Sequence, residues 1–398
     1  MNKESYSFVC KRIEKMRLIM AEKGIDTIIV SSPENVFYLS NFNPIIFSHA
    51  AFIILHKQED PYLLVHCIRH DHAQDEGAIK NIKLYGKWGD NVSLGMEPVD
   101  AIKSLIGNDS SCVGVEGDYI SMNMLEKLKS SISIQSIIDI SYNLKMIKII
   151  KDDYEIARIR QAAELVDAGL EKAVEELEQG NSEAGACTEG QYKMRKLWRE
   201  KFSQYEVSGF GSSEGAQIDS LVLWCMANER IAYGCDCPQN YIPIHGDLVL
   251  PMSWARIGGY AAEIERSVIV GKVDSIRMKA YDAMLAAREA IFAVLRPGIA
   301  FEELYKTAMQ QFEDAGFGNI LPGRCGHGIG LSTHEFPSLT QGNKIALQPG
   351  MVFTVEPGLM SKALGGVRHS DTVLITEDGY EILTKLRRDK ITIKQGNA

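Results

Sequence analysis

The stretch Gly246 to Gly271, GDLVLPMSWARIGGYAAEIERSVIVG, constrains this chain more than any other. Apolar and polar residues alternate on both sides of Gly258-Gly259, the pattern of two strands joined by a reversal that needs glycine's backbone freedom. On the second strand Glu263 and Glu265 fall on one face with Ile264 and Val268 on the other, because side chains alternate. An E-x-E on an isolated strand is ordinarily a solvated face. Two such acids turned inward would repel each other unless a cation lay between them.

Around this hairpin the chain divides in two. From residue 9 to residue 39 the pattern runs helix, strand, helix, with a helix end at Gly24 and Pro33 near the next start. Strands follow at AAFIILHK, PYLLVHCI and CVGVEG, with a helix over Pro98 to Ile106, so residues 1–150 read as an α/β domain. The boundary is placed near Lys151. Residues 151–398 read as α+β: a helix from Asp153 to Leu177, a second begun by EGQYKMRKLWREKF, the hairpin, two further helices, and strands at MVFTVEPG, GGVRHSDTVLITEDG and YEILT.

A net charge of -9 with no basic stretch argues against nucleic acid or an anionic membrane as partner. No apolar run approaches the ~20 residues that span a bilayer, and the start has no secretory h-region. Eight scattered cysteines suit reduced thiols. The expected location is cytoplasmic.

Four segments in order then resemble the pita-bread family of hydrolases, which includes methionine aminopeptidase, prolidase, aminopeptidase P and creatinase: GHGIG at Gly326 to Gly330, HEFP at His334 to Pro337, LQPGMVFTVEPG at Leu347 to Gly358, and GGVRHSDTVLITEDG at Gly365 to Gly379. RIEKMRLIMAEKGIDTIIVSSPENVFYLSNF is similar to the creatinase/prolidase N-terminal domain. The resemblance implies a creatinase/prolidase-type domain over 1–150 and a pita-bread catalytic domain over 151–398. It also implies five positions that hold two metal ions in the family's peptidases. Here they are Met252, Glu263, His327, Glu356 and Ser370. A thioether and a hydroxyl replace two acids, and neither suits hard or borderline ions.

Creatinase loses ligands in the same fold, and its substrate-binding glutamate matches Glu265. The expectation is therefore a metal-independent, creatinase-like hydrolase without cofactor, cleaving a C–N bond in a small cationic or zwitterionic nitrogen-rich compound. Its catalytic residues would be His327, Glu356, Glu265 and Cys235, with Glu263, His334, Tyr260 and His369 binding substrate and no metal. Cys235, Asp236 or Cys237 stands where the relatives carry a histidine, so C-D-C is either the nucleophile or an idle loop. Arg368 and Arg266 read as structural partners of the acids, Met252 and Trp254 as lining or core. The resemblance also implies a homodimer, to which His49, Arg69 or His70 would contribute across the interface. Two alternatives stand beside it: an Xaa-Pro dipeptidase or aminopeptidase with an altered, single-metal site at Glu263, His327 and Glu356, and a non-catalytic binding protein.

Overall fold

The computed structural model describes residues 3–107, 111–216 and 219–394, with the side chains of 3–5 aside. The chain forms two compact units, one of Met1–Lys148 with Gly209–Ile218, the other of Ile149–Ser208 with Asp219–Ala398.

The first unit is α/β, as expected. Its strands are β1 (Thr27–Val30), β2 (Phe52–His56), β3 (Tyr62–His66), β4 (Ile82–Tyr85), β5 (Cys112–Val115) and β6 (Ser136–Asp139), in the order β4-β3-β2-β1-β5-β6. β1 pairs antiparallel with β2 and parallel with β5. The helices are α1 (Lys3–Lys23), α2 (Pro33–Ser40), α3 (His70–Glu76), α4 (Pro98–Ile106), α5 (Met122–Ser131) and α6 (Ser141–Lys148). Buried Ile28, Ile54, Leu64 and Val113 form part of its core. α2 starts where Ser32 caps Asn35 N–H and Pro33 takes the first turn, which needs no donor there. The carboxylate of buried Glu116 accepts from Ser32 N–H at 2.8 Å and Asn35 Nδ2 at 2.6 Å, so the helix N-terminus is also closed by an acid.

The second unit is α+β. Its long helices are α7 (Asp153–Glu178), α8 (Glu183–Lys201), α9 (Ser275–Val294) and α10 (Phe301–Asp314). An Asp152–Glu155 capping box opens α7. The strands are β7 (Leu221–Ala227), β8 (Leu248–Ile257), β9 (Tyr260–Glu265), β10 (Val268–Val270), β11 (His327–Gly328), β12 (Glu335–Ser338), β13 (Val352–Val355), β14 (Gly358–Ser361), β15 (Gly365–Arg368), β16 (Ser370–Ile375), β17 (Tyr380–Ile382) and β18 (Ile391–Ile393). The main sheet runs β12-β11-β13-β16-β9-β8-β10-β18, with β7 and β17 branching from β8 and β16.

Gly258 and Gly259, with φ of 52° and 88°, make the two-residue reversal between β8 and β9, the backbone sign that hairpin turns require. The second half of the hairpin is broken rather than continuous. Arg266 and Ser267 separate β9 from β10 because the Arg266 guanidinium turns into the interior, donating to Asp371 Oδ1 at 2.6 Å.

One face of this sheet carries helices. Tyr260 packs edge-on against Tyr154 of α7, and Ser253 donates to the Met194 sulfur of α8 at 3.5 Å. By the two-residue period, Glu263 and Glu265 take the opposite face. No helix among the described residues is long and apolar enough to cross a membrane.

Candidate active site

Strand register builds the site in two rows across the sheet. Met252, Glu265 and Ser370 stand opposite one another on β8, β9 and β16. The next row holds Trp254 opposite Glu263, then Thr372 and Thr354 as partners on β16 and β13. Thr372 accepts from Glu263 N–H at 3.0 Å, and Thr354 Oγ1 accepts from His327 N–H at 3.1 Å, which extends this row to β11. Glu356 follows the end of β13. The five positions that the resemblance singled out thus share one sheet face.

The charged groups are close and dry. Ligand atoms of Glu263, Glu265 and Glu356 lie within 4.8 Å of one another, and so do those of Glu263, His327 and His334. Glu263, Glu265 and His327 are each 1% exposed and Glu356 is 6% exposed. Glu263 is held by two donors, Trp254 Nε1 at 2.6 Å and Ser370 Oγ at 2.7 Å. Glu265 is paired two-pronged with Arg368, one leg at 2.6 Å, and the same guanidinium reaches the Met252 sulfur at 3.4 Å.

His327 Nδ1 donates to Gly328 O at 3.0 Å, which leaves the lone pair of Nε2 facing inward. Nε2 is buried without a hydrogen-bond partner, 3.6 Å from Glu263 and 3.5 Å from Glu356. A lone pair aimed at two carboxylates is repulsive unless positive charge lies between them. Burial works against a charged imidazole, yet Glu356 and Glu263 hold His327 up at about 9. Burial and then Glu356 push Glu263 up to about 8. Burial, and then His327 beside it, push His334 down to about 4.

A divalent ion meets the same demand. The donor set of imidazole nitrogen and carboxylate oxygens is the kind that borderline ions take. A histidine whose other ring nitrogen donates to a backbone carbonyl is the usual oriented ligand. The orphaned Nε2 makes Glu263, His327 and Glu356 fit such an ion, with His334 in reach. Beside them opens a cleft of about 510 Å³ whose walls include Ile320, Leu321, Pro322, Arg324, Glu356 and Arg368.

The structure gathers His327, Glu356, Glu265, Glu263 and His334, and leaves three expected residues elsewhere. Cys235 is exposed on the loop after the 3-10 turn Asn228–Tyr233, outside the cluster. That loop is tied down by Arg230, which donates to Cys237 O at 3.0 Å and pairs with Glu183 at the start of α8. Tyr260 lies three residues from Glu263, an odd number, and so belongs to the helix face. His369 is fully buried on that same face, 3.1 Å from the Tyr281 hydroxyl of α9. One residue of displacement on a strand is enough to turn it away. Two contributors go beyond the expectation: Trp254, expected as lining or core, stands opposite Glu263 and donates to it, and Arg324, which no motif marks, lines the cleft.

Comparison with known proteins follows the same lines. The model of metallopeptidase family M24 matches residues 157–377, and that of the creatinase/prolidase N-terminal domain matches residues 12–150. The chain is 29% identical over 381 residues to an Xaa-Pro dipeptidase of Pyrococcus furiosus, covering 95% of this chain and 99% of the relative. A crystal structure of the prolidase from Pyrococcus horikoshii OT3 superposes with a TM-score of 0.82 at 25% identity, over 96% of this chain and 100% of the other. A Pyrococcus furiosus prolidase structure gives 0.79 at 28% identity, over 94% and 100%.

These relatives overturn the expectation of a metal-independent, creatinase-like enzyme acting on a small cationic or zwitterionic nitrogen-rich compound. The geometry explains the error. Glu265, which was to receive the substrate's cation, already holds the chain's own Arg368. The expectation of no metal rests on the two lost acids; the alternative beside it, a peptidase with an altered single-metal site, names Glu263, His327 and Glu356, the three that converge on the Nε2 of His327.

Proposed function

The chain belongs to metallopeptidase family M24 and is a hydrolase of C–N bonds, and from that premise we propose that it cleaves Xaa-Pro dipeptides or similarly small peptides at a single-ion site. The observation that carries this reading is the buried, partnerless Nε2 of His327 between two carboxylates. Support for the substrate comes from the relatives' names and from the cleft. Ile320, Leu321 and Pro322 offer an apolar wall for a proline ring, and Arg324, 47% exposed at the side chain, offers a cation for a terminal carboxylate.

Glu263, His327 and Glu356 would hold the ion, which when bound supplies Lewis acidity and lowers the pKa of water. The remaining work falls to the chain. Trp254 and Ser370 fix the Glu263 carboxylate, so that it does not swing toward Glu265. Glu356, facing the cleft, is placed to accept a proton from attacking water at its carboxylate oxygen. His334 is neutral at pH 7 and has one N–H to offer the scissile carbonyl oxygen.

The test is proline release from Ala-Pro and Met-Pro by protein reconstituted with Zn(II), Mn(II) or Co(II), before and after chelation. Turnover that needs the ion and vanishes in His327→Ala is expected. No proline from any combination would sink the substrate, and turnover surviving complete demetallation would sink the ion.

A further inference from the structure

The acid cluster offers two overlapping places for a cation. One is framed by Glu263, His327 and His334, the other by Glu263, Glu265 and Glu356. Glu265, which belongs to the second alone, is already served from within, and this leaves Glu263, His327 and Glu356 to the ion. Arg368, at the end of β15, lays its guanidinium across Glu265 with both legs and touches the Met252 sulfur at 3.4 Å. Its side chain is 20% exposed while that of Glu265 is 1% exposed, so the pair is closed on the sheet side and open only toward the cleft.

We propose that Arg368 is a tethered cation that fills one of the two positions and so limits the cluster to one divalent ion. Charge counting leads to the same number. Three carboxylates and one guanidinium sum to two negative charges, which a single divalent ion neutralises; a second would leave a buried excess of positive charge, costly in a site this dry. A planar, permanently charged fork suits the place beside Glu265 better than an ammonium would, because it engages both carboxylate oxygens at once.

This inference rests on the ion reading of the site but not on the substrate, so it is tested without turnover. Full-length protein, stripped and titrated with Co(II), is expected to take up one ion per chain by calorimetry and elemental analysis. Arg368→Gln, checked for folding by circular dichroism, is expected to take up two at saturation. Arg368→Lys, which keeps the charge, is expected to stay at one. Two ions in the wild type, or one in folded Arg368→Gln, would overturn the proposal. Should Arg368→Gln not fold, the Mn(II) resonance of saturated wild-type protein decides: an isolated-ion spectrum supports it, and a spin-coupled pair overturns it. Uptake of no ion at all would instead remove the ion reading beneath it.

Discussion

Asp371 is sealed between two guanidinium groups and has no water to fall back on. Its Oδ1 accepts from Arg266 at 2.6 Å and Thr384 at 2.9 Å, its Oδ2 from Arg288 at 2.6 Å, and Asp371, Arg266 and Thr384 are fully buried. Asp371→Ala strands two buried cations and should cost about 3–5 kcal/mol in a urea midpoint at pH 7. Burial raises this carboxyl, but Arg266 and Arg288 outweigh it and hold the group below its ordinary 3.8. A depressed folded value means the stabilisation is present above the unfolded value and is lost as pH falls through the folded one. The gap between wild type and Asp371→Asn should therefore be full at pH 7 and narrow as pH falls below 3.8. In the site itself, Glu356→Gln should lower kcat by about 10²–10⁴ in the dipeptide assay, and Cys235→Ser, on its exposed loop, should leave it unchanged. An equal loss in both would return Cys235 to the chemistry. The acids and histidines of the cluster were legible because each sits in a short motif whose order along the chain is distinctive. Arg368 and Arg266 were legible as partners of acids, but which acid each takes, Glu265 and Asp371, depends on how far a side chain reaches between strands and was not.

Elements were most legible where one period dominated, as in α7, α9, α10 and the hairpin. α8 begins at Glu183 behind a Ser182 cap, well before the EGQYK segment at which the pattern suggested a start. Gly185 and Gly190 look like helix breakers in sequence. In space Gly190 is there for approach, because a Cβ would meet Leu223 Cδ1 at 2.6 Å and Gly169 O at 2.7 Å. Gly190 lets α8 lie close on α7 and β7, a need that no local pattern records. Gly326 plays the same part at the site. It precedes β11 with φ of 152°, and a Cβ there would come within 2.0 Å of Thr354 O. Gly326→Ala should push β11 off β13 and carry His327 with it, costing about 1–3 kcal/mol of stability and weakening Co(II) binding in the same protein. Gly318→Ala, where the nearest atom is a flexible glutamate carbon at 3.6 Å, is the control and should change neither. Tight Co(II) binding in folded Gly326→Ala would show that β11 position does not set the site.

At the scale of the molecule, the turn from one unit to the next was read near Lys151, and the second unit starts at Ile149. The return of Gly209–Ile218 to the first unit could not be read, because it rests on contacts distant in sequence such as the Ile46–Ser212 bridge and the Phe37–Phe210 ring pair. Two units with separate cores make a measurable distinction. Glu263, His327 and Glu356 come from β9, β11 and the end of β13, all in the second unit, and unfolding scatters them along the chain. An ion that binds only when they are assembled stabilises that unit by RT ln(1 + [ion]/Kd), about 2.7 kcal/mol at a hundredfold excess over Kd. For a domain of this size that is roughly 5–11 °C. In scanning calorimetry Co(II) should therefore raise the transition of the second unit and leave that of the first in place, and His327→Ala should abolish the shift. A Co(II) shift that persists in His327→Ala would locate the ion elsewhere, and with it the chemistry assigned to this sheet face.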